Sequence, residues 1–145
     1  MSRLNKGFTL IEILLILSIM TIIFSIVIPI NIGLYDRLLL KATAKEIKSS
    51  LHMAQQLSLD ESRNYCVELF SSNFRVREQV VGGKIVYRQK IDDRIKVLTG
   101  YDHRITYNRD GNTAYGCFAL ENRQKDKIMI EVMIGTGRVR ISSLD

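Results

Sequence analysis

Two arginines near the C-terminal end have the type and spacing that suit binding to phosphate. In the stretch Gly137-Arg138-Val139-Arg140 they occupy alternate positions, so in an extended strand both side chains point to the same face. A guanidinium stays charged and donates two parallel hydrogen bonds, which matches the oxygens of a phosphate group. Three further cations precede this pair: Arg123, Lys125 and Lys127. The five residues predict a salt-sensitive, sequence-independent contact with a few phosphates. The alternative is a solvated edge strand whose arginines discourage aggregation.

The remaining polar residues assemble no catalytic constellation. His52 and His103 stand in neither an H-E-x-x-H motif nor a serine-hydrolase context. Asp92-Asp93 and Asp102 lack the alternating oxygen-ligand spacing of a calcium loop. The glycines form no G-x-x-x-x-G-K-[ST] phosphate cradle. The sequence therefore predicts a protein that is not an enzyme and that uses no cofactor or metal.

The two cysteines leave two alternatives open. Cys66 and Cys117 are too far apart in the sequence for a C-x-x-C metal or redox site. They are either two buried thiols or the partners of one disulfide, and an exported domain permits both.

A carboxylate, Glu12, lies inside an apolar run that extends from Phe8 to Ile28. About 20 residues are enough to cross about 30 Å of hydrocarbon as a helix. A carboxylate near the centre of a bilayer costs roughly 2.5 to 3.5 kcal/mol, so an ordinary anchor leaves Glu12 unexplained. A secretory signal peptide would need a small-residue cleavage site, and the following stretch PINIGLYD has none. Arg3 and Lys6 precede the run and favour a cytoplasmic N-terminus.

The stretch Lys6-Gly7-Phe8-Thr9-Leu10-Ile11-Glu12, followed directly by the apolar run, resembles the signature of type IV prepilins. The resemblance implies that a prepilin peptidase cuts after Gly7 and that the new N-terminal residue, Phe8, is N-methylated. It also implies a bend of the long helix at Pro29. Glu12 would then lie about one helical turn from the new N-terminus, where it could pair with the α-ammonium of a neighbouring subunit. Such a pair removes the cost of leaving the carboxylate unpaired in lipid.

Beyond Pro29 the helical pattern becomes amphipathic and then gives way to strand patterns. Apolar residues recur at steps of three and four, with charged residues between them: Leu40, Ala44, Ile47, Leu51 and Ala54. From Arg63 onward, eight runs rich in β-branched and aromatic residues predict strands: CVELF, FRVREQVV, KIVYRQKI, IKVL, RITYN, YGCFALE, KIMIEVMI and GRVRIS. Hairpin turns are predicted at Gly82-Gly83 and at Arg109-Asp110-Gly111-Asn112.

The predicted fold is α+β. A long N-terminal helix, membrane-spanning in its first half, packs through its second half on an antiparallel β-sheet head, as in pilins. The predicted organisation is a leader peptide over residues 1–7, a transmembrane and assembly helix over 8–34, and a pilin-like globular head over 35–145.

The order of the C-terminal strands is similar to that of minor pilins and pseudopilins of the GspH and FimT type, and most of all to ComGD-like competence pilins. In FimT-like pilins a Gly-Arg-x-Arg element is implicated in DNA binding, and residues 137–140 match it. The resemblance implies a minor pilin of a competence DNA-uptake machine. It would be a single-pass membrane protein with a cytoplasmic N-terminus before cleavage, and would reach the cell surface after assembly. The implied partners are the prepilin peptidase, the major and other minor pilins, an assembly-platform membrane protein, the membrane and DNA. The alternative is a type II secretion pseudopilin of the GspH type, which shares every membrane feature and differs in cargo.

Overall fold

A computed structural model describes the chain from residue 9 to residue 144, except for the side chains of residues 27–32. The predicted cleavage and methylation residues, Gly7 and Phe8, lie outside this description. The described chain divides into two compact units, one ending at Tyr35 and one beginning at Asp36.

The N-terminal unit is helical from Leu10 to its end and forms the first part of helix α1 (Leu10–Glu61). Thr9 caps the helix: its carbonyl oxygen accepts hydrogen bonds from the N–H groups of Glu12 at 3.1 Å and Ile13 at 3.2 Å. The hydroxyls of Ser18, Thr21 and Ser25 each donate to a carbonyl three or four residues earlier, so these polar groups are satisfied within the helix. Among the described residues, no helix has both the length and the hydropathy to span a membrane. Helix α1 continues without a break through Pro29, and the bend at that residue stays a prediction.

The second unit contains the rest of α1 and eight strands. The strands are β1 (Tyr65–Leu69), β2 (Asn73–Glu78), β3 (Ile85–Lys90), β4 (Lys96–Val97), β5 (Arg104–Tyr107), β6 (Gly116–Glu121), β7 (Lys127–Val132) and β8 (Val139–Leu144). All eight predicted runs form strands, and both predicted turns connect strands. All pairings are antiparallel.

The strands form two four-stranded sheets where the sequence predicted one. The first sheet has the order β3-β2-β1-β5 and the second the order β4-β6-β7-β8. The division does not follow the order of the chain, because β5 pairs with β1 in the first sheet whereas β4, which precedes it, pairs with β6 in the second.

The hydrophobic core lies between α1 and the two sheets. The predicted apolar stripe of α1, from Leu40 to Ala54, is fully buried, as its three- and four-residue spacing requires. It belongs to one cluster with residues of both sheets: Val67, Leu69, Phe74, Val76, Phe118, Leu120, Ile130 and Val132. The prediction that the second half of the helix packs on an antiparallel β-head is therefore confirmed.

Candidate functional site

Glu12 occupies the first turn of α1 and its side chain is exposed. A carboxylate at this end of a helix is favoured by the partial positive charge of the free N–H groups. The described apolar side chains around it, from Leu10 to Ile26, are exposed as well. Glu12 is therefore accessible to a group from another molecule, which is the requirement of the predicted assembly contact.

The C-terminal arginines lie at the start of β8, the edge strand of the second sheet. Val139 is buried against the core, and Arg138 and Arg140 on either side of it are exposed. Alternation along a strand directs both guanidiniums to the side opposite Val139. Glu131 stands directly across from Arg140 in the register and so shares this face. Its carboxylate, which accepts a hydrogen bond from the Tyr115 hydroxyl at 3.0 Å, reduces the positive charge available beside Arg140.

The structure separates the three cations predicted to assist this pair. Lys127 stands opposite Leu144, whereas Arg140 stands opposite Glu131, four residues further along β7. At about 3.3 Å per residue, the two levels are about 13 Å apart. Arg123 and Lys125 lie beyond Lys127, in the β6–β7 turn. The β6–β7 turn and the β7–β8 turn lie at opposite ends of β7. The predicted patch of five cations is therefore not formed.

Lys48 on α1 is a cation that the sequence prediction missed. It lines the same surface depression as Arg138, Val139 and Arg140. The available signal was its spacing, because Lys41, Lys45 and Lys48 recur at steps of four and three along one side of the helix.

Gly137, the first residue of the Gly-Arg-x-Arg element, has a structural role. Its φ is +64°, and a Cβ atom there would lie 2.5 Å from Gln55 Nε2 and 2.9 Å from Tyr107 Cε1. The same Gln55 Nε2 donates hydrogen bonds of 3.0 Å to the carbonyl oxygens of Gly111 and Thr136. Gln55 thereby ties the turn after β5 and the β7–β8 turn to the helix. No sequence pattern marked this glutamine.

Both cysteines are free and buried in the structure, which corresponds to the alternative of two buried thiols. Cys66 lies on β1 in the first sheet and Cys117 on β6 in the second. Burial raises the pKa of the Cys66 thiol, and it raises the pKa of Cys117 to about 11.

Two of the acidic residues considered as metal ligands, Asp92 and Asp102, have other partners. A side-chain hydrogen bond from Arg94 lowers the pKa of Asp92 to about 2. Asp102 Oδ2 accepts a hydrogen bond of 2.8 Å from the N–H of Cys117. Among residues 9–144, no group of three or more His, Cys, Asp or Glu side chains is placed to hold a metal ion.

Three comparisons with known proteins agree with this arrangement. Residues 2–28 match the prokaryotic N-terminal methylation motif. The chain is 27% identical to competence protein ComGD of Bacillus subtilis (strain 168) over 138 residues, which are 94% of this chain and 93% of that protein.

Two solved structures share the fold. The minor pseudopilin EpsH from the type 2 secretion system of Vibrio cholerae has a TM-score of 0.59 and 7% identity, over 72% of this chain and 96% of that one. The type IV minor pilin FimU of Pseudomonas aeruginosa has a TM-score of 0.60 and 11% identity, over 74% of this chain and 90% of that one. The methylation motif, a relative that aligns along almost the whole chain, and the shared fold together make this chain similar to type IV pilin-like proteins.

Proposed function

We propose that this protein is a minor pilin of a competence-type DNA-uptake machine. The observation that carries the proposal is the similarity to ComGD along 94% of the chain, which includes both the N-terminal motif and the head. The test is deletion of the gene: we expect transformation to be lost while secretion of folded proteins continues.

A second function, that of a type II secretion pseudopilin, is favoured by one observation, the shared fold with EpsH. The same deletion distinguishes the two. Loss of protein secretion with normal transformation would replace the first proposal by the second.

Maturation on this proposal begins with cleavage after Gly7 by a prepilin peptidase and N-methylation of Phe8. The matching motif over residues 2–28 supports both steps. Arg3 and Lys6 keep the short leader in the cytoplasm, and the apolar run from Phe8 to Ile28 anchors the precursor in the membrane until assembly.

Assembly on this proposal depends on Glu12. Its exposed carboxylate pairs with the α-ammonium of an adjacent major or minor pilin, and an assembly-platform membrane protein brings the subunits together. Removing the carboxylate leaves the neighbour's ammonium unpaired in an apolar surrounding, which is costly.

The assembly contact is tested with Glu12→Ala, using Ser18→Ala on the same helix as the matched control. We expect Glu12→Ala to be inserted and processed normally but to enter filaments poorly, and Ser18→Ala to enter them like the parent. Normal incorporation of Glu12→Ala would eliminate the pairing.

Contact with DNA is the finer part of the proposal. Arg138 and Arg140, joined by Lys48, offer three cations around one depression. Their contact would be with phosphates, because positively charged side chains neutralise the phosphate backbone whatever the base sequence.

The DNA contact is tested by titrating duplex DNA into the full-length chain in non-ionic detergent at several salt concentrations. Replacing Arg138 and Arg140 by alanine should make the negative slope of log K against log salt less steep by about 1.8, the value for two lost phosphate contacts. The matched control is the double variant Arg123→Ala, Lys125→Ala, whose cations lie at the other end of the hairpin. Equal slopes for the parent and the Arg138, Arg140 variant would exclude this contact.

A further inference from the structure

Three arginines and one glutamate form a straight row across the whole first sheet. Arg88 on β3 stands opposite Arg75 on β2, Arg75 stands opposite Glu68 on β1, and Glu68 stands opposite Arg104 on β5. Directly opposed residues share a face of a sheet. The neighbouring positions Val67 and Phe74 are buried in the core, so the row lies on the face turned away from it. With strands about 4.8 Å apart, the row is about 14 Å long. We call this surface the arginine face.

Glu68 neutralises only part of this charge. Its carboxylate accepts from Arg75 Nε at 2.6 Å and from Arg104 Nη2 at 2.7 Å. Burial of Glu68 acts to raise its pKa, but the hydrogen bond from Arg75 and the charges of Arg75, Arg77 and Arg104 outweigh burial and lower the pKa. Glu68 is therefore an anion at neutral pH, and it orients the two guanidiniums beside it.

Cations exceed anions on the arginine face. Arg88 forms no ion pair within the part of the chain that the structure describes, and it directly opposes the like charge of Arg75. Like charges in directly opposed positions are destabilising. Arg77, two residues along β2, has a buried Nε atom without a hydrogen-bond partner. Lys90, two residues beyond Arg88, is also exposed on this face. An anion lying along the row would relieve the repulsion.

An exposed aromatic ring borders the row. The guanidinium of Arg75 lies over the ring of Phe70, 4.8 Å from its centroid, and Phe70 is 41% exposed. Phe70 also lines a small depression with Glu68, His103 and Arg104. A charged row beside an exposed ring combines the two elements that bind nucleic acid without sequence preference, cations for phosphates and an aromatic platform for bases.

We propose that the arginine face binds the phosphodiester backbone of nucleic acid, with the arginine row contacting phosphates and Phe70 stacking on a base. The site is separate from the Arg138 and Arg140 pair at the second sheet, and it deepens the DNA contact of the proposed function, on which it rests. Arginine suits phosphate because its planar fork donates two hydrogen bonds. An acidic polypeptide would satisfy the charges but has no base to place on Phe70.

The test uses the full-length chain in non-ionic detergent and measures fluorescence anisotropy of labelled 30-nucleotide DNA, single-stranded in one arm and duplex in the other. The variant is Arg88→Gln with Lys90→Gln, because both side chains are exposed and neither supports Glu68. The matched control is Arg109→Gln with Arg123→Gln, which removes the same charge from exposed positions outside the face. Thermal unfolding of both variants at a temperature no lower than that of the parent establishes that the fold is intact; removal of the Arg88–Arg75 repulsion can only raise it.

The slope of log K against log salt is negative. We expect the variant to make it less negative by about 1.4 on single strands or about 1.8 on duplex, and the control to leave it unchanged. Phe70→Leu should weaken single-stranded binding roughly fivefold or more while leaving the salt slope unchanged.

Absence of DNA binding by the parent, or equal slopes for variant and control, would overturn the proposal. Poly-glutamate that binds as tightly as DNA, with the same dependence on Arg88, would overturn it in favour of an acidic protein partner. Filament incorporation, which depends on Glu12, is measured separately, so failure here leaves the pilin function untouched.

Discussion

Replacement of Gly137 by alanine tests whether the Gly-Arg-x-Arg element is structural at its first position. Gly135, two residues earlier, is the matched control, because its φ of +76° is also left-handed but a Cβ there would meet nothing within 4 Å. Both variants carry the cost of placing alanine in the left-handed region, about 1 to 2 kcal/mol. Only the Gly137 variant must displace Gln55, with its two hydrogen bonds, and shift the buried ring of Tyr107.

Each of those hydrogen bonds contributes about 0.5 to 1.5 kcal/mol, so Gly137→Ala should be destabilised by roughly 1 to 3 kcal/mol more than Gly135→Ala. For a head of this size, an extra 2 kcal/mol lowers Tm by roughly 8 °C. The assay is thermal and urea unfolding of the full-length chain, followed by circular dichroism. In a Gln55→Ala background, the part of the difference that comes from Gln55 should disappear, and the part that comes from the Tyr107 ring should remain. If Gly135→Ala and Gly137→Ala prove equally destabilised, the proposed role of Gln55 is wrong.

Three further predictions concern the charge row, the thiols and maturation. Glu68→Gln should destabilise the head by about 1 to 3 kcal/mol at pH 7, since it leaves two arginines without their anion. Because folding lowers the pKa of Glu68, its contribution is complete above the unfolded value of about 4.3 and is lost as pH falls through the folded value, so urea unfolding of parent and variant should converge at low pH. Without reductant, Cys66 and Cys117 should resist iodoacetamide in the native protein at pH 8 and both react after unfolding; recovery of no reactive thiol would establish a disulfide. Gly7→Leu should be inserted in the membrane and remain uncleaved, and N-terminal sequencing that finds Phe8 first in this variant would exclude the cleavage site.

The elements of the head were predictable because their signals are local. The apolar stripe from Leu40 to Ala54 repeats every three or four residues, which selects a helix and the face that it buries. The strand runs combine β-branched residues with turn residues at their ends. Neither signal depends on what each element packs against.

Strand partners and surface clusters were not predictable from the same signals. Alternation along a strand indicates its two faces but not its neighbours, so the division into two sheets could not be read from the sequence. The arginine face could not be predicted for the same reason. Arg75, Arg88 and Arg104 are dispersed over 30 positions of the sequence, and only the pairing of the strands brings them together. Lys127 was predicted to lie beside Arg138 because the two are near in the sequence. The register of the hairpin places them far apart.

The order of the strands in the two sheets has a consequence for biosynthesis. Along the chain β4 precedes β5, yet β4 belongs to the second sheet and β5 to the first. A chain that emerges N-terminus first therefore lays down part of the second sheet before it can complete the first one. β5, the last strand of the first sheet, is synthesised after β4, and β6, the partner of β4, is synthesised after β5. Neither sheet therefore corresponds to a continuous stretch of the chain that could fold alone. The head should consequently acquire its native structure only after synthesis is nearly complete, and a ribosome-stalled chain ending shortly after Tyr107 should remain sensitive to protease.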